Sequence, residues 1–153
     1  LRRQRQMCIR DSYGMAGVRL GYCLCSDTEL LARMRAAGQP WAVSSLAQAA
    51  GIAALDETEY VAKVRALIEA QRPVLADGLR ALGLRVIEGR ANYLLFRAPE
   101  ALGEALRRKG AVLRSCGNYP GLDASWYRTA VRTENENRQL LALLAETLPE
   151  VAQ

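Results

Sequence analysis

The chain has 153 residues, half of them apolar and 24% charged, with a formal net charge of +5, the balance of one ordinary globular domain. It contains no histidine, which excludes Ser-His-Asp and Cys-His nucleophile systems and every histidine-ligated metal site. No apolar run approaches the ~20 residues of a membrane span, and Cys8, Cys23, Cys25 and Cys116 lack C-x-x-C spacing, so no membrane and no metal are expected, and the thiols read as reduced in a cytoplasmic protein.

Residues 1–12 (LRRQRQMCIRDS) show no helical or strand period and hold four arginines against Asp11. They read as a disordered or foreign leader. Such an arm gives salt-dependent affinity for nucleic acid, but it carries no aromatic residue to stack bases and the remaining chain is nearly neutral. No nucleic-acid partner is therefore expected.

Val18 to Cys25 (VRLGYCLC) reads as a strand buried on both faces, whose sheet partners are not evident in the rest of the chain. Ser26 and Glu29 form a capping box for a helix to Ala37, with Leu30, Leu31 and Met34 inward. Gly38-Gln39-Pro40-Trp41 breaks it. Ser44 to Leu55 is an alanine-rich helix suited to close packing. Asp56 caps a long helix from about Glu57 to Leu82, with Tyr60, Val64, Leu67, Ile68, Leu75 and Leu79 inward and Pro73 inside. Gly83 ends it.

Strands are then predicted at Leu84 to Ile87 and Tyr93 to Phe96, and a helix from Glu100 to Lys109 stopped by Gly110. A short strand, Ala111 to Arg114, precedes a loop from Cys116 to Ser125. Trp126 to Val131 is a strand. Glu134 to Leu148 is a closing amphipathic helix, with Asn135, Asn137 and Arg138 in water. This order implies a mixed α/β fold.

Two segments carry chemistry. In Tyr13-Gly14-Met15-Ala16-Gly17-Val18-Arg19 the glycines allow close backbone approach to a ligand, and Arg19 offers a planar fork of donors suited to phosphate. Spacing alone favours a plain turn with a surface arginine. In the second segment, Arg128, Ala130 and Arg132 share one face of a strand. An arginine set among apolar residues needs an anion or a carboxylate. For Arg128 that is either a substrate carboxylate or a structural partner; Arg132 reads first as a partner of Glu134 or Glu136.

The stretch YGMAGVRLGYCLCSD resembles the motif that follows the cofactor lysine in fold-type I pyridoxal-phosphate enzymes of the class I/II aminotransferase family. The stretches LRVIEGRANYLLFRAP and RSCGNYPGLDASWYRTAVRTENENRQLL are similar to its threonine-phosphate decarboxylase and histidinol-phosphate aminotransferase branch. The resemblance spans Tyr13 to about Leu148. It implies a remnant of the large cofactor-binding domain over 13–55 and the small C-terminal domain over 56–153. It implies pyridoxal 5'-phosphate as cofactor of the intact parent, a small phosphorylated amino acid as substrate, and a homodimer.

By the same resemblance Arg19 aligns with the arginine that binds the cofactor phosphate, and Arg128 with the one that holds the substrate α-carboxylate. Asn118 and Tyr119 fall near the substrate, and Arg114 and Arg132 are candidates for a substrate phosphate. The expected Schiff-base lysine position is Asp11, and neither Lys63 nor Lys109 can replace it. The resemblance therefore implies a fragment of a decarboxylase or aminotransferase that is inactive alone. The alternative is a non-catalytic binding module with a basic N-terminal arm.

Overall fold

The computed structural model describes residues 5–8 and 13–151. The chain divides into two compact units, 1–63 and 64–153, with the division inside a long helix.

The first unit opens with an antiparallel pair, β1 (Arg5–Cys8) and β2 (Gly21–Leu24), with Arg5 opposite Leu24 and Cys8 opposite Gly21. A 3-10 turn, Ala16–Val18, leads into β2. Two expectations are corrected here. Arg5–Cys8, within residues read as a disordered or foreign leader, is a strand, which corrects the disordered alternative there. Β2, read as buried on both faces, has one strand partner among the described residues, and Gly21, Tyr22 and Leu24 are exposed. Backbone pairing decides this, and a two-stranded ribbon cannot cover both faces of its own strands.

Helix α1 (Thr28–Ala37) starts one residue later than the capping-box reading, because Asp27 and not Ser26 accepts the Leu30 N–H at 3.0 Å. No residue of α1 is buried, so the inward face expected at Leu30, Leu31 and Met34 is not a core. Helix α2 (Ser45–Asp56) is capped by Ser44, whose Oγ accepts from the Ala47 N–H at 3.2 Å. Its buried residues, Ala47, Gly51 and Ala54, form one stripe of small side chains at helical spacing. Asp56 ends α2 and does not cap the next helix, α3 (Thr58–Ala81), which runs through Pro73.

The second unit is a four-stranded antiparallel sheet with helices on one face. Its strands are β3 (Arg85–Ile87), β4 (Tyr93–Arg97), β5 (Arg114–Ser115) and β6 (Trp126–Ala130), in the order β3-β4-β6-β5. The helices are the C-terminal part of α3, α4 (Leu102–Arg108) and α5 (Glu134–Val151). Leu84 follows the left-handed Gly83, and its N–H returns to the Leu79 carbonyl at 3.2 Å, which closes α3.

Alternation in the strands sorts the two sheet faces. Leu94, Phe96, Tyr127 and Thr129 point inward, and Leu75, Leu79, Leu102, Leu106 and Leu144 meet them in one cluster. The buried Tyr127 hydroxyl donates to the Glu100 carbonyl at 2.6 Å and accepts from the Gly103 N–H at 3.2 Å, which seats the start of α4. Asn137, expected in water, is buried at 3% exposure. Its side chain has taken over backbone hydrogen bonding at the end of β6, and that outweighs its place on the polar side of the helical pattern.

Candidate functional site

The outward face of the second unit's sheet is built by the other half of the strand alternation. Register places Arg85 opposite Arg97, Arg97 opposite Trp126, Ile87 opposite Leu95, Leu95 opposite Arg128, and Arg128 opposite Arg114. Two arginine pairs thus face each other directly, an arrangement that like-charge repulsion disfavours unless something negative intervenes.

The first pair has its compensation. Arg97 donates from Nε to Ser125 Oγ at 2.8 Å, and its Nη2 lies 3.7 Å from Asp123. Arg85 sits over the Trp126 ring at 5.7 Å. Hydrogen bonds from the Ser125 hydroxyl and backbone N–H, with the Arg97 charge beside them, hold the Asp123 carboxyl below its ordinary range.

The second pair is different. The Arg128 guanidinium carbon lies 4.6 Å from the centre of the Tyr93 ring, and neither Arg128 nor Arg114 has a carboxylate within ion-pair distance among the described residues. Cation–π contact uses the face of the guanidinium and leaves its N–H donors unspent. Arg128 is half-buried and Arg114 exposed. Together they present positive charge on a partly desolvated surface, suited to a carboxylate or phosphate.

The other residues singled out from sequence fall into three situations. Asn118 and Tyr119 are exposed in the loop between β5 and β6, whose turns are closed by Tyr119 N–H to Cys116 O at 3.0 Å and Leu122 N–H to Tyr119 O at 3.1 Å. Arg132 Nε lies 3.0 Å from Glu136 Oε1, so its charge is already paired. Asp11 lies outside the described residues.

Arg19 belongs to the first unit. It is exposed, has no ion-pair or hydrogen-bond partner for its side chain among the described residues, and ends the 3-10 turn in the left-handed conformation, φ 55° and ψ 36°. That conformation costs a non-glycine residue free energy, and such strain concentrates at ligand sites. Nearby in sequence, Tyr13 stacks on Tyr60 with ring centres 6.0 Å apart, and Tyr13, Met15, Ala50, Ala53, Ala54, Glu57 and Tyr60 line an open cavity of about 350 Å³.

The chain has two lysines. Lys63 Nζ lies 3.6 Å from Glu59 on exposed helix surface, and Lys109 Nζ lies 2.7 Å from Glu150. Among the described residues there is no group of three or more His, Cys, Asp or Glu side chains able to hold a metal ion, and no helix is long and apolar enough to cross a membrane. Two features went unread in the sequence. The Arg114–Arg128 pairing depends on strand register, and the Tyr93 support of Arg128 joins residues 35 positions apart; only the outward alternation of both strands hinted at it.

The chain is 38% identical over 144 residues to the threonine-phosphate decarboxylase of Salmonella typhimurium, covering 92% of this chain and 40% of that protein. It is 40% identical over 141 residues to the histidinol-phosphate aminotransferase of Symbiobacterium thermophilum, covering 90% and 38%. It thus spans about 40% of the length of these curated relatives.

Among solved structures, the histidinol-phosphate aminotransferase of Clostridium acetobutylicum superposes with a TM-score of 0.85 at 28% identity, over 96% of this chain and 46% of that one. That of Sinorhizobium meliloti, solved in complex with pyridoxal-5'-phosphate, shares the fold with a TM-score of 0.72 at 24% identity, over 97% and 40%. The mixed α/β fold is therefore that of part of a fold-type I enzyme, and the family's cofactor is pyridoxal 5'-phosphate. A family model matches residues 12–144, and on that match the chain belongs to the aminotransferase class I and II family.

Proposed function

We propose that this chain is the carboxylate- and phosphate-holding part of a pyridoxal-phosphate enzyme acting on a small phosphorylated amino acid, by decarboxylation or transamination, and that these residues alone turn nothing over. Residues 13–55 are assigned to the cofactor-binding domain and 56–153 to the small domain. A homodimer in a cytoplasmic setting goes with this reading.

The observation that carries it is Arg128, held by Tyr93, facing Arg114 with no carboxylate within ion-pair distance of either among the described residues. Arg128 takes the substrate α-carboxylate through two parallel N–H donors, which fixes the orientation of the Cα bonds. Arg114 adds charge for the substrate phosphate. Asn118 and Tyr119, in the loop beside them, offer neutral donors. Arg132 is the weaker phosphate candidate, since Glu136 already takes its charge.

Arg19, in a strained left-handed conformation and with no side-chain partner among the described residues, fits the cofactor phosphate. The cofactor, when bound, withdraws the electron pair released at the substrate Cα. The chain's residues fit the anionic ends of cofactor and substrate, but they do not fit a covalent attachment. Lys63 and Lys109 are each engaged by a glutamate, and the position where the family's lysine is expected is Asp11.

Calorimetric titration of the full chain with O-phospho-L-threonine tests the reading. Arg128→Gln is expected to weaken binding at least about tenfold, the loss expected for a charged hydrogen bond. Arg138→Gln, whose parent pairs with Glu134 on the α5 surface, leaves binding unchanged. Equal affinity in Arg128→Gln would overturn the assignment.

A further inference from the structure

Asn137 spends its carboxamide on Arg132, two residues past the end of β6, and on Gln71 of α3. Its Oδ1 accepts from the Arg132 N–H at 3.1 Å, and its Nδ2 donates to the Arg132 carbonyl at 2.9 Å and to Gln71 Oε1 at 3.3 Å. One side chain thus takes both peptide groups of one residue, as a neighbouring strand would. The ladder reaches it without a gap, because the Val131 N–H donates to the Asn92 carbonyl at 2.9 Å.

The next residue on α3 serves the partner strand. Arg72 donates from Nε to the Ala91 carbonyl at 3.0 Å and from Nη2 to the Arg90 carbonyl at 2.9 Å. Gln71 and Arg72 therefore hold, side by side, the end of β6 and the approach to β4. Those two segments carry Arg128 and Tyr93, and Tyr93 pairs in register with Ala130.

Starting α5 does not require Asn137. Glu136 already reaches back over the first turn, its Oε2 accepting from the Thr133 N–H at 3.2 Å and from its hydroxyl at 2.6 Å, the carboxylate half of a capping box.

We propose that Asn137, anchored by Gln71, is a positioning residue that sets the Arg128 guanidinium over the Tyr93 ring and so fixes the geometry of the anion site. The inference rests on Arg128 holding an anion, but its primary readout does not. The Tyr93 ring current displaces the Arg128 side-chain proton resonances in the ligand-free chain, and that displacement reports the contact directly.

The test compares Asn137→Ala, Gln71→Ala and the exposed control Asn135→Ala by NMR of the full chain, followed by titration with O-phospho-L-threonine. Asn137→Ala is expected to lose most of the displacement and to bind the probe about tenfold more weakly, with cooperative unfolding retained. Gln71→Ala shows a partial loss, and Asn135→Ala none. A folded Asn137→Ala with the parent displacement overturns the inference. If Asn137→Ala does not fold, Gln71→Ala decides: an altered displacement supports the inference and an unaltered one overturns it. Undiminished probe binding by Arg128→Gln would instead break the anion reading, leaving the displacement to judge the positioning role.

Discussion

The two units of this chain differ in what holds them together. The second puts Leu75, Leu79, Phe96, Leu102, Leu106 and Leu144 entirely out of water. Among its described residues the first buries only alanines and a glycine of α2, while Trp41 is 97% and Leu46 83% exposed, with Ile52 and Leu55 also largely in solvent. Apolar content does not separate them; closure of the sheet by helices does. A four-stranded sheet with three helices on one face removes large side chains from water, and a two-stranded ribbon cannot. The anion site proposed at Arg128 therefore stands on a packed base, while Arg19 stands on a turn.

The largest test of this contrast is truncation. Phe96→Ala should cost about 3–5 kcal/mol and unfold the second unit. Ile52→Ala, at an exposed position on α2, should change stability by no more than about 0.5 kcal/mol. Urea denaturation of both variants reads the difference.

A smaller effect is expected at Gly117, on the loop that carries Asn118 and Tyr119. A Cβ there would lie 3.1 Å from Ala124 Cα and 3.2 Å from its nitrogen, both backbone atoms that cannot rotate away. Gly117→Ala should destabilise by about 1–3 kcal/mol and shift the loop resonances.

Acid sharpens the comparison further. The Asp123 carboxyl is lowered first by the Ser125 hydroxyl, and that of Glu136 first by the Thr133 hydroxyl. A depressed folded-state value stabilises above the unfolded one, so this contribution is present near neutrality and is lost as pH falls through the lowered values. Both groups are exposed, so the effect is small. Ser125→Ala should flatten the acid limb of the second unit's melting profile.

The smallest effect is at Arg19. Arg19→Gly removes left-handed strain and no hydrogen bond or ion pair of its side chain among the described residues, so stability should rise by at most about 1 kcal/mol, as read in a thermal melt.

Much of the fold was legible in the sequence. Period located the helices, and Gly83 and Gly110 marked the stops. The misreadings share a cause. Ser26, Asp56 and Asn137 are polar residues whose role depends on which backbone group they reach, and neighbouring candidates compete for it. Burial of β2 failed because apolarity reports what a strand could pack against, not what is there. At the site, Arg19 and Arg128 came from motif resemblance. The Arg114–Arg128 register and the Tyr93 contact are tertiary and leave no local pattern.

The most direct measurement is borohydride reduction of the full chain incubated with pyridoxal 5'-phosphate at micromolar concentration, read by intact mass and peptide mapping. Neither Lys63 nor Lys109 stands at the position where the family's lysine is expected, so no stoichiometric adduct should form, and the absorption spectrum should remain that of the free cofactor. A single adduct trapped in one-to-one yield on either lysine would contradict the proposal that these residues supply the anion-holding half of the chemistry without its covalent half.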